Sequence, residues 1–541
     1  MEKIVNRQID SEIPICYTEK MIVSCKMRDN RNTEERGGDM AVKKTKEKTA
    51  KVHPFGLILA MIQLVCLVIL IRSLFAIDML PTLLTAAVAV IFVLIWMIDF
   101  LTQFTSSMHI GGKVVTLLMC IVMVVASSVL GQADHLLGVI TGNEYEIDKM
   151  AVIVLEEDPA KTVEDILHYQ VGVQRITTGS DGENAALAIE KIEETYGTTL
   201  HAMGYSSLDE VIQGLYDEEV GAIIINSAMI TTVQEHFEGF SEDTRILEEL
   251  ELKRKMETTK SEEELTEPFH VYLSGIDVYG DISTNSRSDV NIIATVNPKT
   301  RQILLTTTPR DYYVEIPDVT NGQKDKLTHA GIYGIDASMA ALEKLYGIEI
   351  DYYVRVNFSG VENIVDALGG VTVYSKYAFS THLAPHYSYV KGYNEMNGKE
   401  ALWFARDRKS VPGGERQRGK NQQEVIKGLI AKICSPAILT NYGELFSAVG
   451  GSVQMNFSEN QLKGLVKAQL KDGTAWNIIS LSANGKDARD YCYSYSGTAL
   501  YVMYPNEDTV DYIKNVMDKV YAGEILTEAD EACIEQLGVE E

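Results

Sequence analysis

The chain has 541 residues, a formal net charge of −27, and 46% hydrophobic and 23% charged residues. That is the composition of folded protein rather than of a disordered chain, and the length allows three or four domains. The acidity excludes nucleic acid as a bulk partner, since gripping a phosphodiester backbone takes a broad basic face.

Residues 1–39 carry neither a helical nor a strand period. Glu35–Met40, "ERGGDM", is what a purine-rich ribosome-binding site would encode if read in frame before a start codon, so Met40 is the expected start. Three apolar, almost uncharged runs follow a short tail (residues 1–52): Phe55–Ile71, Leu80–Ile98 and Val114–Gly131. Each is about long enough for a bilayer core, which takes roughly 17–25 residues. Lys43, Lys44, Lys46, Lys48 and Lys51 precede the first run and put the tail in the cytoplasm, and Lys113 in the second loop agrees. With 53–132 crossing the membrane three times, everything after about residue 132 is expected outside. Cys66 and Cys120 lie in the spans and Cys16 and Cys25 before Met40; Cys434, Cys492 and Cys533 have no metal spacing. A Cys434–Cys492 disulfide and free thiols both remain open.

Residues 145–250 alternate strand and helix patterns: "MAVIVLEE" at 150, a helix from Glu183, a Ser-capped helix in "SSLDEVIQGLYDEE", then "AIIIN". Such units predict a small parallel α/β accessory domain. Leu247–Pro268 is dense in charge and reads as a linker, centred on 251–268, part helix and part tether. A larger α/β domain is predicted over 269–522. Its strands are "FHVYLSGID", "DVNIIATVNP", "RQILLTTTPRD", "IDYYVRVN" and "VTVYS", with helices in "DASMAALEKLYG" and "FSGVENIVDALGG". The acidic tail 523–541 is expected to be partly ordered at best.

Four places in this domain carry polar residues at element ends. Asp277 closes one strand, and Arg287 and Asp289 open the next. Two carboxylates flanking one hairpin suit Mg²⁺ (or Mn²⁺) together with a substrate phosphate, and ordinary turn chemistry accounts for them equally. Arg310 and Asp311 follow an apolar strand and a proline, where α/β sheets commonly place function; a strand-exit ion pair is the plain alternative. His329 in "DKLTHAGIYG" reads as structural. The fourth place is "FARDRKSVPGGERQRGKNQQ", with Arg406, Arg408, Lys409, Arg416, Arg418 and Lys420 around a Pro-Gly-Gly turn. A helix follows in which Arg418, Gln422, Val425 and Leu429 share one face. Arginines on the core-facing stripe at a helix start suit an anion better than solvent.

Taken in order, Asp277, Arg287-Ser-Asp289, "PRD" at 309–311, "HAGIYG", "YYVRVNFSGVENIVDALGGVTV", "GYNEMNGKEALWFARDR" and "ERQRGKNQQ" resemble the LytR-CpsA-Psr family of cell-envelope proteins over residues 270–432. The resemblance implies an α/β/α sandwich with an apolar cavity for a lipid. It implies a phosphotransferase that moves a phospho-glycopolymer from a polyprenyl-pyrophosphate carrier to peptidoglycan, generally to the 6-hydroxyl of N-acetylmuramic acid, outside the membrane. The polymer, teichoic acid or capsular polysaccharide, stays open. By motif position, Asp277 and Asp289 match metal-associated aspartates, and Arg310, Arg406, Arg408, Arg418 and Gln422 match pyrophosphate-holding residues; Arg287 is grouped with these. Asp289 is the candidate base. Thr328 stands where the family often has Asn. A polyprenyl-pyrophosphate phosphatase, and a non-enzymatic envelope sensor or transcriptional attenuator, are the rival readings. The stripes "IVDAL" and "VIKGLIAKI" fit a lipid tunnel or ordinary core.

Overall fold

Unbroken apolar stretches form three long helices: α1 (Pro54–Ile77), α2 (Thr82–Thr102) and α3 (His109–Ile140), each long and apolar enough to cross a membrane. In this computed structural model the described residues are 54–78, 80–105, 108–140, 145–174, 180–256, 265–276, 281–382, 386–435 and 450–537. The tail with Met40, and Asp277, lie outside them. Polar contacts tie α1 to α2: Gln63 Nε2 donates to Asp99 Oδ2 at 2.9 Å, and Trp96 Nε1 to Ala60 O at 2.9 Å.

Residues 145–255 build a five-stranded sheet from β1 (Tyr145–Leu155), β2 (Gln170–Gln174), β3 (His201–Tyr205), β4 (Ala222–Asn226) and β5 (Thr244–Lys255), in the order β3-β2-β4-β1-β5. Helix α4 (Ser180–Tyr196) buries Ala185, Ala188 and Ile192 on one face; α5 (Leu208–Tyr216), capped by Ser207, buries Val211, Ile212 and Leu215 on the other. A short helix, α6 (Ile230–Gln234), follows β4. Two expectations are corrected here. The sheet is mixed, because β1 runs antiparallel to both β4 and β5, while β2 is parallel to β3 and β4. Residues 244–255 are a strand along the whole of β1, not part of a linker. Being an edge strand, β5 buries little beyond Leu250 and carries charge along its outside, which also blocks stray strand pairing.

The larger sheet has six strands: β6 (Phe269–Ile276), β7 (Ser288–Asn297), β8 (Gln302–Thr307), β9 (Tyr352–Asn357), β12 (Val453–Met455) and β13 (Asn477–Ser482), in the order β12-β9-β6-β7-β8-β13. β10 (Val371–Ser375) and β11 (Gly392–Met396) pair as a separate ribbon. β14 (Gly485–Asp490) pairs with β15 (Leu500–Pro505). Helix α7 (Leu327–Ala330) leads into α8 (Ile335–Tyr346). Then come α9 (Phe358–Ala367), α10 (Gly398–Arg406), α11 (Gly414–Ile433), α12 (Glu459–Asp472), α13 (Glu507–Ala522) and α14 (Glu528–Leu537). α8 and α13 pack on one face of the sheet; α11 and α12 lie over the other, where Val271, Ile292 and Leu305 are buried. The tail is more ordered than expected. Asp530 accepts from Thr527 N and Lys519 Nζ, both at 2.9 Å, and α14 sinks Ile534 into the core of the α13 side.

The two sheets are not independent. Val211 and Leu215 share a buried cluster with Leu500 and Val502. Beside it, Arg355 of β9 is only 1% exposed. Its guanidinium donates to Thr284 O at 2.9 Å, Asn285 Oδ1 at 3.2 Å and Glu146 Oε1 at 3.4 Å. Glu146, on β1, also accepts from the first amide of α8, Ile335 N, at 2.9 Å. β1 is further bonded through Ile147 to Ser283 O and Asn285 N, both at 2.8 Å.

Removing one partner of a buried ion pair strands the other. Arg355→Met is expected to destabilise the full chain by about 3–5 kcal/mol in denaturant titrations, with part of this restored by adding Glu146→Gln. A second expectation concerns His270, buried on β6, whose ionisation burial pushes down to about 4. The unfolded chain takes up this proton near pH 6.5 and the folded one only near 4, so the contribution is complete above 6.5 and lost as pH falls through that window. Stability should drop there by up to about 3 kcal/mol, and His270→Gln should flatten the drop in denaturant titrations at pH 7 and 4.5.

Candidate active site

Three segments converge at one end of β6, β7 and β8. The first is the loop into β7, with Arg287 and Asp289. The second is the turn after β8, with Arg310. The third runs from the end of α10 to the start of α11, with Arg406, Arg408, Arg418 and Gln422. Each is held by local chemistry. The turn that follows α7 presses against the first segment at Gly331, where a Cβ would lie 2.5 Å from Ser286 O and 2.8 Å from Ser288 N, so only glycine allows the approach. The turn between Arg406 and α11 folds around Asp407, whose carboxylate accepts from Ser410 N and Oγ at 2.8 Å and His382 N at 3.0 Å. Gly413, at φ 91°, takes the left-handed conformation that starts α11.

Arg310 Nη1 donates to Asp289 Oδ1 at 2.8 Å. Thr328 Oγ1 reaches the same oxygen at 3.4 Å, so the departure at 328 keeps a donor there. Glu415 bridges Arg408 at 2.6 Å and Arg418 at 2.7 Å. Arg406 lies over Phe358, its Cζ 4.0 Å from the ring centre, and 5.4 Å from that of Trp403. Gln422 Nε2 donates to Ala405 O at 3.4 Å. Burial opposes the Asp289 carboxylate, but Arg310 and then Arg418 outweigh it and hold its pKa below the ordinary aspartate value. It is therefore ionised and a weaker base than a free aspartate. Burial, with repulsion from Arg310, pulls the Arg418 pKa down against the attraction of Glu415. Arg310 Nε also reaches Asp311 Oδ2 at 3.6 Å. With Arg287 and Arg406, five arginines meet three paired carboxylates among the described residues, Asp289, Asp311 and Glu415, so the cluster is short of negative charge.

These groups form the polar end of a cavity of about 950 Å³ that also reaches Thr231 and Glu235 beside α6. Behind them the walls turn apolar: Val290 and Ala294 from β7, Ile364 from α9, Ile430 from α11, Leu470 from α12, and Trp476. Both sequence stripes contribute, through Ile364 and through Ile426, Leu429 and Ile430, while Val425 is also core. Of the six cations around the turn, Arg406, Arg408, Lys409 and Arg418 line this cavity; Arg416 and Lys420 line a second one of about 620 Å³.

Asp311 pairs with Lys326 at 3.2 Å. His329 sits in a buried cluster with Asp325 and Cys492, its Nδ1 2.7 Å from Asp325 Oδ1 and 2.8 Å from Ser494 Oγ. Cys434 and Cys492 are free thiols. Sequence reasoning missed Glu415 and Arg355. The signal for Arg355 was an arginine in phase with the buried residues of a central strand, Tyr353 and Asn357. For a divalent cation, Asp289 offers a hard, ionised oxygen donor; Asp277 lies outside the described residues. This donor chemistry suits Mg²⁺ or Mn²⁺.

The fold and site define a membrane-anchored α/β protein with a cluster of arginines at the mouth of an apolar cavity. The profile of the LytR_cpsA_psr family matches residues 234–518, and the chain belongs to that family. It is 34% identical over 247 residues to the polyisoprenyl-teichoic acid–peptidoglycan teichoic acid transferase TagU of Bacillus cereus (strain AH820), covering 45% of this chain and 79% of that protein. TagU of Bacillus licheniformis is 36% identical over 194 residues, covering 36% of this chain and 61% of that protein. A crystal structure of B. subtilis TagU is 28% identical with a TM-score of 0.37, covering 48% of this chain and 98% of that one.

Stacking on an aromatic face and a planar fork are properties of arginine that lysine lacks. Arg406→Lys is expected to weaken inorganic pyrophosphate binding to the full chain about tenfold by calorimetry, whereas Arg416→Ala, an exposed residue outside the first cavity, should change it less than about twofold.

Proposed function

We infer that this protein transfers a phospho-glycopolymer from a polyprenyl-pyrophosphate carrier to a hydroxyl of peptidoglycan. The observation that carries this is the joining of an arginine clamp to an apolar cavity in one site, matching a ligand that is a pyrophosphate at one end and a hydrocarbon at the other. Relatives named for teichoic acid transfer to peptidoglycan support it.

The acceptor oxygen bonds to the sugar-bearing phosphorus. The bond from that phosphorus to the bridging oxygen breaks, polyprenyl phosphate leaves with the electron pair, and the hydroxyl proton passes to solvent. Arg310, Arg406, Arg408 and Arg418 neutralise the two phosphates and the charge that grows on the leaving oxygen. Gln422 and Arg287 complete the clamp, and Glu415 holds Arg408 and Arg418 together before substrate arrives. Asp289, with Asp277, would hold Mg²⁺ or Mn²⁺, which supplies further charge neutralisation when bound. The lowered pKa of Asp289 favours this ligand role over that of base.

The orientation follows the same logic. Lys467 of α12 pairs at 2.8 Å with Asp78, which lies between α1 and α2. This supports a multi-pass anchor whose first loop is on the same side as the large domain, outside, with the lysine-rich tail inside. Leu470 and Val466 of α12 line the apolar end of the cavity, so that end lies toward the membrane from which a lipid would come.

The test is the full chain in lipid nanodiscs with a polyprenyl-pyrophosphate saccharide, Mg²⁺ and peptidoglycan fragments. The expected outcome is acceptor-dependent transfer, lost by at least about a hundredfold in Arg418→Ala and suppressed by a chelator. Release of phospho-saccharide at the same rate without acceptor would make the protein a phosphatase instead.

A further inference from the structure

The charged wall has two sides. Asp289, Arg310, Arg418 and Gln422 line both the apolar cavity and the second cavity of about 620 Å³. The second cavity lies between α11 and the β8–β13 edge of the sheet, and its lining is more polar than that of the first. Besides the wall it is lined by Asn291, Gln417, Asn421, Thr307, Ser480 and Ser482, by charged side chains such as Lys376 and Glu424, and by Tyr374 and Tyr501. β8 and β13 run parallel with Thr307 beside Ser482 and Leu305 beside Ser480, so the three hydroxyl residues share the sheet face under α11. α11 is seated closely there, with Gln423 Nε2 donating to Leu481 O at 2.6 Å and Leu305 O at 3.2 Å.

The hydroxyls of Thr307, Ser480 and Ser482 are buried and have no hydrogen-bond partner among the described residues. Thr307 is 8% and Ser480 6% exposed. Arg310 Nε, in the wall itself, is ion-paired with Asp311 Oδ2 at 3.6 Å. Three orphan hydroxyls in a folded core are unusual, since each costs about 1–3 kcal/mol unless something pairs with it. They sit behind the arginine cluster, in a chamber whose walls mix amides, hydroxyls and charged side chains with apolar and aromatic surface. The chemistry that pairs with such polar groups while laying an apolar face on the rest is a saccharide.

We propose that this second cavity is the subsite for the acceptor saccharide and presents its hydroxyl to the phosphate from the side opposite the lipid. This rests on the transferase reading above. Displacement at phosphorus brings the nucleophile in line with the leaving group. The leaving polyprenyl phosphate lies on the apolar side of the wall, so the incoming oxygen approaches from the other side, where the polar chamber is. Thr307, Ser480 and Ser482 bind and position the sugar, and none of them takes part in the bond exchange.

The experiment uses the full chain in nanodiscs, comparing wild type with Thr307→Val/Ser480→Ala/Ser482→Ala, substitutions that remove only the hydroxyls. The KM for a peptidoglycan disaccharide acceptor is expected to rise roughly tenfold or more, with the Kd for polyprenyl pyrophosphate within about twofold and thermal stability not lowered. Ser482→Phe, which fills the chamber, should abolish transfer while leaving polyprenyl-pyrophosphate binding in place. Binding of the disaccharide alone, followed by ligand-detected NMR, needs no turnover and should be lost in the triple variant. An unchanged acceptor KM and unchanged disaccharide binding would overturn the proposal. So would a selective loss of affinity for a donor that carries sugars, which would assign the chamber to the donor glycan. A wild type that binds the disaccharide through these hydroxyls yet transfers nothing would defeat the transferase reading and leave the saccharide site standing.

Discussion

The arrangement depends on burying cations against hydrocarbon. Arg310 and Arg418 keep 20% and 11% of their side-chain surface exposed, at the end of a cavity whose remaining walls are mostly apolar. Withdrawing a guanidinium from water costs on the order of several kcal/mol, and one carboxylate recovers only part of it. Asp289 and Glu415 offset enough to let the site fold, but they leave it electron-poor. On the proposed function a ligand with two phosphates would complete the balance, and the apolar wall behind would make each contact stronger than it would be in water. The same imbalance explains why an acidic chain concentrates basic residues around one turn.

That cluster has to be held from outside, because its members come from loops. Much of the support comes from the accessory sheet. β1 is hydrogen-bonded along 283–285, the approach to Arg287 and Asp289, and its Glu146 is locked by Arg355 and by the start of α8. A strand of one sheet thus fixes a loop of the other through a fully buried arginine. The accessory region also brings Thr231 and Glu235 to the cavity. It is part of the frame of the site rather than an appended module, and the shared core of Val211, Leu215, Leu500 and Val502 says the same in apolar terms.

What was legible in the sequence was what local pattern determines. The spans, the Ser207 cap, the helix ended by Gly347, the β7–β8 hairpin and the strands of the large sheet follow from periodicity and punctuation. So does the inward placement of Arg418 and Gln422, since they fall on the stripe of Val425 and Leu429. What was hidden depends on partners distant in sequence. Strand direction in the accessory sheet is fixed by how β1 is flanked, which no single segment encodes. β5 looked like a tether because an edge strand with one buried leucine has the composition of a linker. α14 looked like a loose acidic tail, yet one isoleucine and a capping aspartate dock it. Glu415 passed unnoticed because its meaning lies in bridging two arginines on different elements.

The central claim is that the clamp and the apolar cavity act as one binding site for a lipid pyrophosphate. The most direct measurement is crosslinking of the full chain with a polyprenyl pyrophosphate carrying a photoreactive group near the end of its chain, followed by peptide mapping. The account puts the label on α11 and α12, around Ile430, Val466 and Leu470, with competition by unlabelled lipid pyrophosphate and much weaker competition by polyprenol. Labelling confined to α1–α3, or labelling that polyprenol blocks equally well, would contradict it.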